Sequence, residues 1–198
     1  MAKILTDEQL LHSYQKGDAE AFNKLYSRYK KAIYHYFFRQ VSVMGVADEL
    51  YQDVWLRIIK SSSAFNQQSS FKTWLYKIAH NRLIDYYRSA GRQPLYLVQN
   101  NLAEDDCEAD KKRETSISQT SEPDAVLQEQ QLSKTLLSAI DSLPEEQKEV
   151  FLLHEKSGLT LQEIAEISGN SFESTKSRLR YAVKKLRQHM NQYLAVEL

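Results

Sequence analysis

The sequence predicts an all-α protein of two helical domains joined by a flexible acidic linker. Glycine (5) and proline (3) are scarce among the 198 residues, and no Asn-Gly or Asp-Gly hairpin signal occurs. This composition favours helices over strands. Hydrophobic residues make up 42% of the chain, which is enough for packed cores.

Charge divides this formally neutral chain into three unlike parts. Residues 1–92 carry 14 basic and 8 acidic side chains, residues 93–135 carry 4 and 9, and residues 136–198 carry 8 and 9. Such asymmetry indicates modules with different roles. We predict domains at 1–92 and 127–198, with a linker at 93–126, where the sequence is polar and aperiodic. An ordinary surface loop is less favoured, since structureless loops of this length are rare within compact domains.

The first module contains three predicted helices before residue 65. One runs from Asp7 to Gly17, and a second begins at the N-cap Asp18 and ends at Met44-Gly45. The third spans residues 47–61. It places an apolar stripe on one side and two carboxylates, four residues apart, on the other. The stripe is Leu50, Val54 and Ile58, and the carboxylates are Glu49 and Asp53.

The segment FKTWLYKIAHNRLIDYYRSAGR, residues 71–92, holds five aromatic and five basic residues but one acid. A helix here has a core face and an outer line. The core face is Phe71, Leu75, Ile78 and Ala79, the outer line is Lys77, Asn81, Ile84 and Arg88, and Trp74 lies between them. Cations, an amide and an aromatic suit a nucleic-acid strand. The alternative is a core helix whose long cationic side chains reach solvent.

The second module begins with a predicted stripe of Leu132, Leu136, Ile140 and Leu143, followed by a helix from Pro144 to about Lys156. Thr160 and Glu163 then form a capping-box pattern, and Ser171 is a predicted N-cap after a Gly-containing turn. Residues 174–189 contain six basic residues and no acid. Two short helices with a basic second member are typical of a helix-turn-helix that binds DNA. An amphipathic surface helix is the alternative.

Other classes of site find little support in the sequence. The five histidines lie far apart without partners at metal-ligand spacing, so we expect no metal and no cofactor. No phosphate-binding glycine loop or nucleophile–base pattern occurs, so we expect neither an enzyme nor a small-molecule substrate. A lone cysteine, Cys107, excludes an intrachain disulfide framework and agrees with a reducing cytoplasm. We expect neither a signal peptide nor a membrane span.

Four segments together resemble the extracytoplasmic-function sigma factors, the small alternative specificity subunits of bacterial RNA polymerase. They are QKGDAEAFNKLYSRY, VADELYQDVWLRI, FNQQSSFKTWLYKIAHNRLIDYYR and LPEEQKEVFLLHEKSGLTLQEIAEISGNSFESTKSRL, in that order around an acidic linker. The resemblance implies a region 2 domain, a region 4 domain and promoter-specific transcription initiation with core RNA polymerase.

The resemblance also implies site residues. Glu49, Gln52 and Asp53 lie where the family docks on the β′ clamp coiled coil. The implied −10 contacts are Phe65, Ser69, Phe71, Trp74, Lys77, Asn81 and Arg88. The implied −35 contacts are Ser174, Lys176, Ser177, Arg178, Arg180 and Tyr181. Further implied partners are the β flap, promoter DNA and an anti-sigma factor, either soluble or membrane-bound. The linker would thread toward the RNA exit path.

Two residues depart from the family pattern. Asn170 and Thr175 stand where apolar residues usually seat the recognition helix, and Phe172 is expected to supply the missing contact. Two other classes of protein stay open on the residues alone. One is a helix-turn-helix regulator that binds duplex DNA unaided, and the other is an adaptor whose basic helix docks an acidic partner.

Overall fold

The computed structural model describes residues 5–41, 43–65, 69–91 and 123–196, with side chains from 131 to 193 in the last range. These ranges contain eight α-helices and no strand, which confirms the all-α prediction. The helices are α1 (Asp7–Gln15), α2 (Ala19–Gln40), α3 (Met44–Ser61), α4 (Phe71–Ser89), α5 (Pro123–Asp141), α6 (Glu145–Glu155), α7 (Leu161–Ser168) and α8 (Phe172–Val196). Cys107 and most of the predicted linker lie outside the described residues.

Helix starts follow the local capping chemistry that the sequence contains. The Asp18 carboxylate accepts the backbone N–H groups of Glu20 and Ala21. Thr160 and Glu163 cap α7 reciprocally, and Ser171 Oγ accepts the N–H of Ser174 at 3.1 Å. Each cap satisfies amides that have no partner within the helix, so these predicted starts are confirmed.

One predicted helix boundary is wrong. Met44 and Gly45 open α3 instead of ending the preceding helix, because α2 stops at Gln40 and the Val43 carbonyl accepts the N–H groups of Val46 and Ala47. At the second module, α5 begins at Pro123, within the predicted linker. Proline suits a first helical position because it lacks the N–H that would otherwise be unpaired.

The apolar stripe predicted on α5 is only half buried. Ile140 and Leu143 pack with Leu152, Ala182 and Leu186, whereas Leu132 and Leu136 remain exposed. Only the last turns of α5 contribute to this cluster within the part of the chain that the structure describes. The apolar residues of the stripe recur at helical spacing, but the neighbouring helix covers only one end of the stripe.

The two modules, which the sequence predicts to be joined by a flexible linker, pack against each other in this structure. Apolar side chains of α6 and α7, among them Val150, Leu153 and Ile164, join the same buried cluster as Phe37 of α2 and Tyr76 of α4. The α4–α7 contact is the most extensive one between the modules. The boundaries at 92 and 127 stay predictions.

A buried carboxylate lies at the centre of this contact. Glu149 of α6 is 2% exposed, and its Oε1 accepts the Tyr36 hydroxyl at 2.5 Å and pairs with His80 Nδ1 at 2.7 Å. Burial by itself lowers the pKa of His80, but the charge and hydrogen bond of Glu149 outweigh burial and raise that pKa above its usual value. The Glu149 carboxylate therefore favours the protonated, charged form of His80.

We expect the His80 ring to titrate above pH 6.5, and Glu149→Gln to lower its pKa below that value, because burial then dominates. A raised folded-state pKa means that the pair's stabilisation is complete below about pH 6.5 and is lost as pH rises through the folded pKa. Histidine-ring NMR over a pH series measures the titration. A wild-type His80 that titrates at or below 6.5 contradicts the ion pair.

Candidate nucleic-acid interface

The outer line of α4 is presented to solvent as the sequence predicts. Ser70 caps the helix by accepting the N–H of Thr73 at 3.0 Å, and Glu8 of α1 accepts the N–H of Phe71 at 3.1 Å. These two contacts fix the orientation of α4 about its own axis. Lys77, Asn81 and Arg88 are exposed on one face as a result, and Ile84 is partly buried among them.

Three aromatic residues gather at the start of α4. The Phe65 and Trp74 rings are 5.2 Å apart and half-buried. Phe71 lies beneath them and is 0% exposed, with its ring 6.0 Å from Trp74. Phe71 therefore supports the exposed aromatics and presents no surface of its own, which corrects its expected place in direct DNA contact. Ser69 is half-buried, and residues 66–68 lie outside the described residues.

The acidic face of α3 is not equally free at its two carboxylates. Glu49 has a side chain 70% exposed, although its Oε1 lies 3.7 Å from Arg82 Nη2, and Gln52 is exposed beside it. Asp53 instead accepts Nε of Arg82 at 2.7 Å and pairs with Nη2 at 2.7 Å. The resemblance places both carboxylates on a docking face, but Asp53 is firmly engaged by Arg82 within the chain, and Glu49 only at longer range. Arg82 follows Asn81 directly, so this ion pair ties the acidic face to the outer line of α4.

The second helix of the helix-turn-helix presents two cations one turn apart. Lys176 and Arg180 are exposed near the start of α8, and the Arg180 guanidinium lies 5.2 Å from the centre of the Tyr181 ring. Ser174 and Ser177 are half-buried. This face can present cations, hydroxyls and one aromatic ring to a groove of DNA.

Arg178, also expected on the −35 face, has a partner inside the protein. Its Nη2 lies 2.7 Å from Glu146 Oε2, and both side chains are less than a fifth exposed. The pair joins α8 to α6. A base contact by Arg178 would first have to break it, so the structure favours an orienting role for this residue.

The two residues that depart from the family pattern, Asn170 in the turn and Thr175 in α8, are accommodated by hydrogen bonds. Thr175 is 0% exposed, and its hydroxyl donates to the Ser171 carbonyl at 3.0 Å, so it fills an apolar seat with its polar atom satisfied. The Asn170 amide donates to the Ser168 carbonyl at 3.3 Å beside Gly169, whose φ is +67°. Phe172 is 40% exposed, so the expectation that it supplies the missing contact is wrong.

Sequence reasoning missed the internal partners of these sites. Arg82, Glu146 and Glu149 each belong to an ion pair between two different helices. A signal existed for Glu149 alone, because it lies four residues before Leu153 on the apolar face of α6. In the described ranges, no group of three His, Cys, Asp or Glu side chains could hold a metal, and no helix is long and apolar enough to cross a membrane.

Comparisons with known proteins find a family match for each of the two helical modules. Residues 25–93 match the family described as Sigma-70 region 2, and residues 139–188 match Sigma-70, region 4. The chain is 33% identical to the ECF RNA polymerase sigma-E factor of Haemophilus influenzae over 179 residues, which cover 90% of this chain and 92% of that protein. It is 30% identical to the ECF RNA polymerase sigma-E factor of Escherichia coli K12, over 90% and 91%.

Two solved structures share the fold. The sigma factor RpoE, in complex with the anti-sigma factor NepR from Bartonella quintana, has a TM-score of 0.62 at 18% identity and covers 87% of this chain and 98% of its own. CnrH, in complex with the cytosolic domain of CnrY, has a TM-score of 0.62 at 20% identity and covers 94% and 97%.

The Arg82 ion pair makes the two carboxylates of α3 distinguishable. We expect Asp53→Lys to reduce the free energy of unfolding by about 1–3 kcal/mol, because it leaves a half-buried guanidinium facing a like charge. Glu49→Lys should change it by less than about 0.5 kcal/mol, since that side chain is mostly solvated. Urea denaturation measures both. Equal losses for the two variants would show that the Arg82–Asp53 pair adds nothing particular to the free energy of unfolding.

Proposed function

This chain belongs to the extracytoplasmic-function (ECF) sigma factors of bacterial RNA polymerase, and we propose how its residues divide the work of promoter recognition. It is an alternative sigma factor that binds core RNA polymerase and directs promoter-specific transcription initiation. It is not an enzyme, because the polymerase supplies the chemistry of RNA synthesis. In this proposal residues 1–92 form the region 2 domain, 93–126 the linker and 127–198 the region 4 domain.

We assign capture of the −10 element to α4, together with the aromatic pair of Phe65, before the helix, and Trp74, near its start. The observation that carries this is the exposed line of Lys77, Asn81 and Arg88 beside Phe65 and Trp74. Cations of that line neutralise backbone phosphates, the aromatic rings stack on bases, and the Asn81 amide meets the edge of an unpaired base. Phe71 and Arg82 hold these groups in position from beneath and beside them.

We assign core polymerase binding to the exposed acidic face of α3. Glu49 and Gln52 are the accessible contacts for a basic β′ clamp coiled coil, and Asp53 takes part when Arg82 either shares its carboxylate with the coiled coil or releases it. The region 4 domain would meet the β flap. Charge complementarity across such a surface speeds association and orients the partners.

We assign −35 recognition to the start of α8. Lys176 and Arg180 are placed to read base edges in the major groove, with Ser174, Ser177 and Tyr181 on phosphates or base edges around them. Arg178 orients α8 through Glu146. The exposed cations farther along the helix, such as Lys184, are suited to phosphate contacts.

We further propose control by an anti-sigma factor, and action in the cytoplasm, where the polymerase works. The support is that the RpoE and CnrH structures, which share this fold, are complexes with NepR and with the cytosolic domain of CnrY. The type of anti-sigma factor stays open between soluble and membrane-bound forms.

Transcription in vitro with core polymerase and a library of promoters tests the proposal. Specific transcripts should appear only when this protein and core polymerase are both present. Promoter footprints formed by the protein without polymerase would instead indicate a regulator that binds duplex DNA unaided.

Asn81→Ala should impair strand opening and leave recruitment intact. The variant removes an exposed amide and no core volume, so folding, core binding and the closed complex should persist. Flipping a base costs a few kcal/mol, and without the amide the pocket compensates less. Permanganate footprinting should show weaker reactivity of unpaired thymines, and a template pre-melted across the −10 element should restore only part of the activity. Wild-type reactivity would exclude the pocket role.

Lys176→Ala and Arg180→Ala should each cost about 1–3 kcal/mol of promoter binding and relax base preference at one −35 position. Lys184→Ala is the matched phosphate control. It should weaken all sequences alike and lower the salt-dependence slope by about 1. Binding to promoters with single −35 substitutions, over a salt series, measures both effects. Unchanged −35 preference in the first two variants would show that another register of α8 faces the groove.

A further inference from the structure

Helix α1 lies against the segment that carries the aromatic pair of the −10 site. Gln15, the last residue of α1, donates from Nε2 to the Ser62 carbonyl at 2.6 Å. Seven residues earlier in α1, the Glu8 carboxylate accepts the Phe71 N–H at 3.1 Å. These contacts reach 47 and 63 positions along the chain. One helix therefore holds the backbone on both sides of the segment that joins α3 to α4.

The two contacting side chains lie on one face of α1. Residues seven positions apart are separated by two helical turns, about 10 Å along the axis, and point in nearly the same direction. Leu11 lies between them on this face and is 0% exposed. A separate contact attaches α1 to α2, because Asp7 accepts hydrogen bonds from the Arg28 guanidinium and the Tyr29 hydroxyl. Helix α1 is therefore a fixed support for the segment that it contacts.

The Ser62 carbonyl links Gln15 to Phe65. Besides the Gln15 amide, this carbonyl accepts the backbone N–H of Phe65 at 3.2 Å. A carbonyl oxygen has two lone pairs and can accept both bonds. Residues Ser62–Ala64 form a single 3-10 turn, and Phe65 follows it directly. Gln15 thus fixes the acceptor that places the backbone of Phe65.

Glu8 supports the other half of the aromatic pair. The Phe71 N–H belongs to the first turn of α4, where backbone amides have no partner within the helix, and an anion is favoured beside them. The Phe71 ring lies 6.5 Å from the Phe65 ring and 6.0 Å from the Trp74 ring. A displaced Phe71 would therefore move the base on which both half-buried rings rest.

Resting on the sigma-factor function above, we propose that Gln15 and Glu8 are positioning residues for −10 recognition. Gln15 places Phe65 through the Ser62 carbonyl, and Glu8 places Trp74 through Phe71. Neither side chain touches DNA. Rings that are held in their binding positions beforehand lose less conformational freedom when bases stack on them, so more of the stacking free energy remains for binding.

Exchanges between amide and carboxylate test the two contacts with almost no change in side-chain shape. Gln15→Glu replaces the N–H donor by an oxygen that faces the Ser62 carbonyl, so the bond is lost. Glu8→Gln keeps an acceptor oxygen for the Phe71 N–H, so the bond is kept, whereas Glu8→Ala removes it. The same chemical exchange should therefore be harmful at one position and tolerated at the other.

Each full-length variant is assembled with core polymerase and titrated with a single-stranded oligonucleotide. The oligonucleotide carries the non-template strand across the −10 element of a promoter found by transcription in vitro. Gln15→Glu and Glu8→Ala should each weaken binding by about two- to tenfold, the usual effect of one hydrogen bond. Glu8→Gln should bind as the wild type does. The matched control is Gln9→Glu, an exposed exchange on α1 that keeps an acceptor for the Thr6 N–H.

Coupling to the Phe65 ring separates positioning from a general loss of stability. In a Phe65→Ala background, Gln15→Glu should cause no further loss of oligonucleotide binding, because the ring that it places is gone. Destabilisation of the whole domain would add to the Phe65→Ala effect. Binding to core polymerase should stay at the wild-type level in Gln15→Glu, since the acidic face of α3 is untouched.

Wild-type affinity for the oligonucleotide in Gln15→Glu would overturn the role of Gln15, and wild-type affinity in Glu8→Ala would overturn that of Glu8. An equal loss from Gln15→Glu with and without the Phe65 ring would also overturn positioning through that ring. These results leave the −10 assignment intact as long as Phe65→Ala and Asn81→Ala weaken the same complex. If those two variants bind as the wild type does, the −10 site itself is contradicted.

Discussion

The buried Glu149 carboxylate is the constraint on which the arrangement of this molecule depends. Apolar surfaces alone can slide over one another at little cost, whereas a desolvated carboxylate requires its donors at hydrogen-bond distance. Tyr36 and His80 supply those donors from α2 and α4. The orientation of α6, and with it that of the helix-turn-helix, follows from this requirement.

Helix α4 serves three surfaces because its residues rotate by about 100° from one to the next. Phe71 and Leu75 enter the core, Thr73 and His80 meet the second module, and Lys77 and Asn81 face outward. A segment rich in both aromatic and basic residues is what such a helix needs. The composition of residues 71–92 therefore reflects packing, docking and DNA capture together, not DNA capture alone.

Counting basic residues overstates the cations that are free to bind phosphate. Arg82 and Arg178 are held by Asp53 and Glu146 inside the protein, whereas Lys176 and Arg180 remain exposed. The engaged arginines orient the helices that carry the free ones. The same logic separates Glu49 from Asp53 on α3, where two carboxylates of equal charge differ in their availability to a partner.

The sequence by itself determined the helices, their caps and the outward line of α4. Those features depend on residues within four positions of one another, as in the Thr160–Glu163 box. The tertiary structure alone decided that Thr175 fills an apolar seat and that the two modules are docked. The pairs Arg82–Asp53 and His80–Glu149 join residues 29 and 69 positions apart. Helical periodicity reports which side of a helix a residue occupies, but not which distant helix will lie against that side. Partner and burial are therefore decided only when the chain packs.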